Sequence, residues 1–223
     1  MNSAELEELV GSSIDHKNIE LAKTLFSLRH DLDIHCLIGV NASQLNKHSP
    51  GRFFFGHVAM RILESIVLAV CKVYQDEKRY ELNSIQGVLN SLSHKAPSLK
   101  ADEREVRDFI SQYGGPFGPM DPMEALQATF DGFKTKYAGE LDRFKTARDK
   151  LVAHSEFGVP RDLLPSFDTM EHLFFFGADF YMIVSNSFVG SGPENLKNRR
   201  EIKRDLEKIL RLVGLQDIKN EME

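Results

Sequence analysis

The segment 147–155 places three side chains close together whose chemistry could be combined: Arg148, Asp149 and His154. An arginine offers a planar fork of donors that fits a phosphate, and it stays charged at any working pH. A histidine can give or take a proton near neutrality. The carboxylate of Asp149 could orient either the arginine or the imidazole. The three residue types therefore suffice for phosphodiester chemistry that needs no metal.

The spacing of the arginine and the histidine restricts how they can meet. On an ideal helix, Arg148 and His154 are separated by roughly 120° around the axis, so they do not share one narrow face. Either His154 lies past the helix end, or two copies of the segment meet across a dimer axis. A simpler interpretation stays open, in which the basic residues only favour the C-terminal end of the helix dipole.

The order Arg, polar residue, mostly apolar residues, His in segment 148–156 resembles the signature of the HEPN superfamily. The amino-acid sequence of this segment is similar to that of the AbiU2-type branch, which is named for abortive phage infection. The resemblance implies a metal-independent endoribonuclease, the toxin of a toxin–antitoxin or phage-defence pair being one role. His154 would then act as general base or acid on the attack by the ribose 2′-hydroxyl, and Arg148 would bind the scissile phosphate while Asp149 orients one of them. The implied partners are RNA, a second copy of the chain and an antitoxin protein.

Length and composition predict one ordinary domain over residues 1–223. The chain is 42% hydrophobic and has a net charge of −5, which argues against a protein that coats nucleic acid over its whole surface. Cys36 and Cys71 lie in apolar helical surroundings and are typical of reduced thiols in the cytoplasm. The acidic N-terminus lacks the order of a signal peptide, and the longest apolar stretch carries charges. We therefore expect a cytoplasmic protein that does not bind a membrane.

Hydrophobic periodicity predicts an all-α fold, an up-and-down four-helix bundle like that of HEPN proteins. The four long helices are expected at about 15–45, 51–75, 122–153 and 166–189, and an additional C-terminal helix at about 194–212. Residues 76–121 break this rhythm and are interpreted as a small helical insertion, with helices at about 84–91 and 102–112, packed on the outside.

The second long helix is apolar almost all round and is predicted to lie at the centre of the bundle. It also carries a narrow polar row, His57, Arg61 and Glu64, with Lys72 further along. One interpretation is a structural Arg61–Glu64 pair, one turn apart, at a helix edge or a subunit contact. The other is that this row faces the Arg148 segment and supports the chemistry there; an enzyme centred on the row itself is a third, remote hypothesis.

Two basic sets could contact RNA. Lys145, Lys150 and Arg143 lie on the approach to Arg148 and are predicted to hold a phosphate chain near it. The last helix also carries many lysines and arginines, but they alternate with acidic residues. That mixture is typical of a solvated face, with an RNA contact as the alternative.

A metal site is not predicted, and no cofactor is expected. Asp31 and His35 are one turn apart, but Asp33 points to another side of the helix and no second cluster matches them. These residues are interpreted as a solvated polar face. The hypothesis that competes with the nuclease is a non-catalytic dimeric HEPN-like module that binds RNA or a protein partner through the same residues.

Overall fold

The computed structural model describes residues 3–48, 51–76, 83–95, 103–116, 121–153, 164–190, 195–198, 201–215 and 217–219. These residues form an all-α bundle, as predicted. Its helices are α1 (Ser3–Val40), α2 (Ala42–His48), α3 (Arg52–Tyr74), α4 (Ile85–Lys95), α5 (Glu103–Gln112), α6 (Pro122–Lys136), α7 (Ala138–Ala153), α8 (Phe167–Val184) and α9 (Glu201–Leu212).

The long helices alternate in direction. Near its start α1 contacts the end of α8, where Asn18 donates to Ser185 at 2.8 Å. Further along, Arg29 of α1 contacts Glu171, close to the start of α8. The earlier residue of α1 thus contacts the later part of α8, and the later residue of α1 contacts the earlier part. The two helices are therefore antiparallel. The chain runs up and down through α1, α3, α6 with α7, and α8.

Two helix starts follow the capping chemistry of the sequence. Asp121 accepts a hydrogen bond from the backbone of Met123 at 2.8 Å, and Pro122 occupies the first position of α6. Ser166 caps α8 in the same way through the backbone of Thr169. Beyond Val184 the chain continues as one π-helical turn to Val189, as far as the predicted end of this helix. The prediction of both helices is confirmed at these ends.

The helix predicted at 122–153 is broken at Tyr137. Its backbone leaves the helical region with φ −105° and ψ 21°, so α6 and α7 are separate helices. The Tyr137 ring packs against Phe133, with 4.7 Å between the ring centroids, and its hydroxyl lies 3.5 Å from Nδ1 of His172 on α8. Backbone hydrogen bonds from Tyr137 to Phe133 and from Leu141 to Tyr137 still join the two helices, and α7 packs on α3.

The first predicted helix is likewise two helices, and it begins earlier than residue 15. The chain turns at Asn41, which is fully buried. The Asn41 amide donates to the carbonyls of Leu37 and Lys219, both at 2.9 Å. Asn41 thus both separates α1 from α2 and holds the end of the chain. The C-terminal segment includes a short 3₁₀ turn, Leu196–Asn198, before α9.

The insertion at 76–121 does not pack on the outside, which corrects the prediction. Leu89 and Leu92 of α4 are fully buried in the main core, and Phe109 of α5 lies 5.5 Å from Phe176 of α8 between ring centroids. Ser84 caps α4 through the backbone of Gly87. The apolar faces of these two short helices complete the core that the long helices leave open.

The prediction that α3 lies at the centre of the bundle is also wrong. One face packs on α1 and α7, but the opposite face is open: Phe53 is 85% exposed, Phe54 64% and Leu68 50%. In the part of the chain that the structure describes, α3 is the one helix long and apolar enough to cross a membrane. That is a weak indication of a span, since core helices pass the same test and Ile66, Val67 and other inner residues of α3 are fully buried.

The cluster on α1 that was interpreted as a solvated polar face is partly buried. Arg29 and Asp33 are 2% and 4% exposed, and Nη2 of Arg29 lies 2.5 Å from a carboxylate oxygen of Asp33. Burial raises the pKa of Asp33 to about 6, although the Arg29 charge opposes this shift. Glu171 of α8 lies 3.4 Å from Arg29, so this charge network joins the two helices inside the bundle.

Candidate active site

Helix α7 presents Arg148 on the continuation of its buried stripe. Leu141 and Phe144, which lie seven and four residues earlier, are both buried against the core. At Arg148 the stripe reaches the surface of the protein: this side chain is 31% exposed. Its aliphatic part can therefore pack on the protein while its guanidinium reaches solvent.

Asp149 holds the guanidinium from one edge. A single carboxylate oxygen of Asp149 accepts from Nε of Arg148 at 3.0 Å and from Nη2 at 2.8 Å. A guanidinium has five N–H donors, so this arrangement leaves the edge that carries Nη1 to bind another group. A phosphate oxygen pair is the anion that such a fork matches best.

The charge of Arg148 acts on Cys71 of α3. Burial raises the pKa of the Cys71 thiol, and the positive charge of Arg148 opposes that rise to a lesser extent. Asp149 and Lys145 act on the same thiol. This part of α7 therefore lies within electrostatic range of the end of α3.

His154 lies outside the described residues, and so does the polypeptide after Ala153 up to Leu164. Its role, and its angular offset from Arg148, stay predictions.

The three predicted RNA-binding residues are exposed on α7 but differ in their contacts. Lys145 lies one turn from Arg148 and pairs with Asp142 at 3.2 Å. Lys150 is exposed near the end of the helix. Arg143 donates from Nη2 to the backbone carbonyl of Leu164 at 2.7 Å, so part of its guanidinium is committed to the protein.

The polar row on α3 forms the ion pair expected of its structural interpretation. Nη1 of Arg61 lies 2.7 Å from Glu64, and the Arg61 side chain is 62% exposed. His57 is exposed one turn earlier. All three lie on the open face of α3, and among the described residues no hydrogen bond or ion pair joins them to Arg148. Their predicted supporting role stays a prediction.

No group of three or more histidine, cysteine, aspartate or glutamate side chains within the described ranges could hold a metal ion. Asp31, one of the residues weighed for such a site, instead accepts a hydrogen bond from Ser65 of α3 at 2.6 Å. His35 stacks on Phe167 of α8 with 6.3 Å between ring centroids.

Sequence reasoning missed a second group of functional candidates around the α6–α7 break. Tyr137, Lys136 and His172 line a cleft there. Tyr137 continues the apolar spacing of Phe130 and Phe133, and His172 is a single histidine on an apolar helix, so neither stands out in the sequence. The signal that could have found the group is a tyrosine that follows Lys134 and Lys136.

The fold and the site together define the class of protein. It is an all-α up-and-down bundle in which α7 carries, near its end, an arginine oriented by the neighbouring aspartate. The family model AbiU2 of the HEPN superfamily matches residues 12–191, and the chain belongs to this family. The resemblance seen in segment 148–156 is thereby confirmed. No curated protein and no solved structure matches the chain.

Proposed function

We propose that the protein is a metal-independent endoribonuclease of the HEPN type. The observation that carries this proposal is the guanidinium of Arg148, half-exposed at the end of α7 and held along one edge by Asp149. The family match supports it, because the match includes the entire segment with Arg148 and His154. The biological role that this activity fits is a cytoplasmic toxin of a toxin–antitoxin or phage-defence pair.

In this mechanism the chain supplies charge stabilisation and proton transfer. The free edge of Arg148 binds the scissile phosphate and stabilises the negative charge that develops on it. His154 takes the proton from the ribose 2′-hydroxyl or gives one to the leaving oxygen. Asp149 keeps the guanidinium in the orientation that presents this edge. The bond that forms joins the 2′-oxygen to phosphorus, and the bond that breaks releases the 5′-oxygen of the next nucleotide.

We expect RNA cleavage that persists in excess EDTA and leaves a 2′,3′-cyclic phosphate. Internal attack by the 2′-hydroxyl requires RNA, since DNA lacks this nucleophile. The measurement is cleavage of a labelled RNA and a DNA of the same sequence, with mass spectrometry of the new ends. DNA should bind through its phosphates and remain uncut.

The activity would be assigned to different chemistry by either of two results. Cleavage that stops on chelation and returns with magnesium or manganese would indicate a metal-assisted nuclease. Equal cutting of the DNA would show that the 2′-hydroxyl is not the nucleophile.

We further propose that the working form is a symmetric homodimer joined through the open face of α3. This face carries Phe53, Phe54 and Leu68, which are too exposed for a helix whose other side is core. Gly56 adds no side chain, so a second helix could approach closely there. Arg148 lies near enough to α3 for its charge to act on Cys71, and an isologous contact through α3 would therefore bring two copies of the segment towards each other.

Replacing Phe53 with Lys should convert a dimer into a monomer, because it places a charge in the middle of the apolar contact. Leu212→Lys is a matched control: Leu212 is 86% exposed, much like Phe53, but lies on α9. Light scattering after size-exclusion chromatography measures both variants. A wild-type monomer at micromolar and higher concentrations, or dissociation only in the control, would contradict the proposed interface.

The second candidate function is a non-catalytic dimeric module that binds RNA or a protein partner such as an antitoxin. The observation that favours it is the Arg148–Asp149 pair itself, since a neighbouring carboxylate partly neutralises the arginine. The two functions differ in one result: the module binds RNA without cutting it at any protein concentration.

A further inference from the structure

A cleft of about 850 Å³ lies on the surface away from Arg148. It is formed where the chain turns after α5, where α6 meets α7, along α8, and at the 3₁₀ turn Leu196–Asn198. Its volume is within the range of pockets that bind small organic molecules. Nothing in the proposed cleavage step uses it.

Aromatic rings form much of the cleft. Phe133 lies at its base, 3.9 Å from Phe176 between ring centroids, and Tyr137 packs on Phe133 from the solvent side. Phe175 of α8 lines the cleft as well. Tyr137 and Phe175 are half-buried, so each keeps part of a ring surface that a ligand could contact.

The charges around these rings are not balanced. Lys197 pairs with Asp179 at 2.5 Å, and Asp179 also accepts from the Tyr113 hydroxyl at 2.6 Å. Burial and this bond to Asp179 raise the pKa of Tyr113, which therefore stays neutral. Lys136 lies over the Tyr137 ring, 5.2 Å from its centroid, and has no carboxylate partner among the described residues. The cleft thus offers a net positive charge beside an aromatic surface.

Hydrogen-bonding groups lie at the edge of the same surface. Nδ1 of His172 is 3.5 Å from the Tyr137 hydroxyl, and His172 is exposed. The Gln112 side chain lines the cleft on the other side and donates to Asp179 at 3.2 Å. A ligand that suits the cleft is therefore planar and aromatic, carries hydrogen-bonding edges, and has an anionic group next to its ring.

We propose that this cleft binds one nucleotide, with its base stacked on Tyr137 and its phosphate near Lys136. Every base has a flat ring surface that stacks on aromatic side chains, and the phosphate supplies the anion that a lysine binds. The source is an unpaired nucleotide of an RNA strand or a free nucleotide. The strand as source rests on the proposed ribonuclease function.

The position of the cleft suits a strand that also reaches the candidate active site. Tyr137 and Arg148 lie at opposite ends of α7, roughly 16 Å apart along the axis at about 1.5 Å per residue. A strand a few nucleotides long spans that distance. A base held at Tyr137 would then set which phosphate lies at Arg148.

The test is binding of a fluorescently labelled single-stranded RNA, measured by anisotropy in the Arg148→Ala background so that no strand is cut. Replacing Tyr137 with Leu should weaken binding at least about fivefold, the loss expected for one stacked base. Tyr137→Phe, which keeps the ring, should restore it. Lys136→Ala should lower the salt dependence by about one phosphate contact. Its side chain is exposed, so this variant is expected to fold if Tyr137→Leu does not.

Tyr181→Leu is the matched control, because Tyr181 is a half-buried tyrosine of α8 outside the cleft. Competition with AMP and UMP separates the two sources. If these mononucleotides shift NMR signals of the cleft but the strand does not depend on Tyr137, the ligand is a free nucleotide. Unchanged binding of both strand and mononucleotides in Tyr137→Leu and Lys136→Ala would overturn the proposal, as would displacement by a peptide alone.

A cleavage assay with Arg148 intact, run beside the binding measurement, separates failure of this inference from failure of the proposed function. If binding depends on Tyr137 but the wild-type protein never cuts RNA, the cleft binds a nucleotide and the ribonuclease function is wrong. If Tyr137→Leu cleaves RNA at the wild-type rate with unchanged affinity, the ribonuclease function holds and the proposed role of the cleft is wrong.

Discussion

Replacing Arg148 with Ala is expected to lower the rate of RNA cleavage by about 100- to 1,000-fold or more, the usual effect of removing one group that stabilises transition-state charge. The fold should survive, because the side chain is partly exposed near a helix end and its hydrogen bonds go to the adjacent Asp149. Arg148→Lys keeps the charge but loses the fork, and should recover only a small part of the rate.

The measurement is single-turnover cleavage, with circular dichroism and thermal unfolding of each variant. His154→Ala should show a comparable loss of rate, because a histidine is the side chain that exchanges a proton near neutral pH. Arg204→Ala, at an exposed position of α9, serves as the control and should cut RNA normally. If the Arg148 and His154 variants both unfold or aggregate, the two residues are structural and the catalytic assignment is wrong.

Replacing Arg29 with Leu should lower the free energy of unfolding by about 3–5 kcal/mol, because it removes the buried guanidinium that lies 2.5 Å from the carboxylate of Asp33. Arg29 is fully enclosed between α1 and α8, where its guanidinium also lies 5.5 Å from the centre of the Phe174 ring. The measurement is urea unfolding followed by circular dichroism.

The double variant Arg29→Leu/Asp33→Leu decides whether the charge or the volume matters. It should be more stable than Arg29→Leu alone, since the buried carboxylate is removed together with the guanidinium that lies beside it. Lys208→Leu is a matched control, because Lys208 forms an i,i+3 pair with Asp205 at 3.0 Å on the surface. Its unfolding should change little, as for most exposed pairs. A single variant as stable as the wild type would show that Asp33 is neutral or solvated in the folded protein.

Helix ends with local chemistry were predictable from the sequence. Asp121 and Ser166 cap through neighbours two and three residues away, so the sequence contains the whole interaction. Gly190 ends the predicted fourth helix with φ 74°, a left-handed conformation that glycine adopts without a steric penalty. The all-α class and the family followed from the same kind of short-range pattern.

Features that depend on distant partners were not predictable. The apolar stripe continues across Tyr137, and the break there involves His172 of another helix. Hydrophobicity alone does not separate the open Phe53 from the buried Val67, because apolar side chains lie on both faces of α3 and the open face carries the polar row as well. In the sequence Arg29 has no feature that distinguishes it from a surface arginine, although in the structure Asp33 and α8 enclose it.

The Arg148 site and the Tyr137 cleft also differ in how far the sequence alone predicts them. Arg148 and Asp149 are consecutive, so their mutual hydrogen bonds could be anticipated from the sequence. The cleft at Tyr137 is assembled from separate segments of the chain, among them Tyr113, His172 and Lys197. Only folding brings these together, and no spacing rule joins them.

The bond from Arg143 to the Leu164 carbonyl affects how variants of α7 must be interpreted. The segment that carries His154 connects the end of α7 to Leu164. The bond holds Leu164, where this segment ends, against Arg143 in the middle of α7. Anchoring both ends of a chain segment reduces the entropy it must lose to reach one conformation. An Arg143 variant could therefore be slow because the histidine arrives late or in the wrong place, with every RNA contact intact. The affinity for RNA and the rate of cleavage would then change separately, so weak cleavage by an Arg143 variant would be no measure of weak binding.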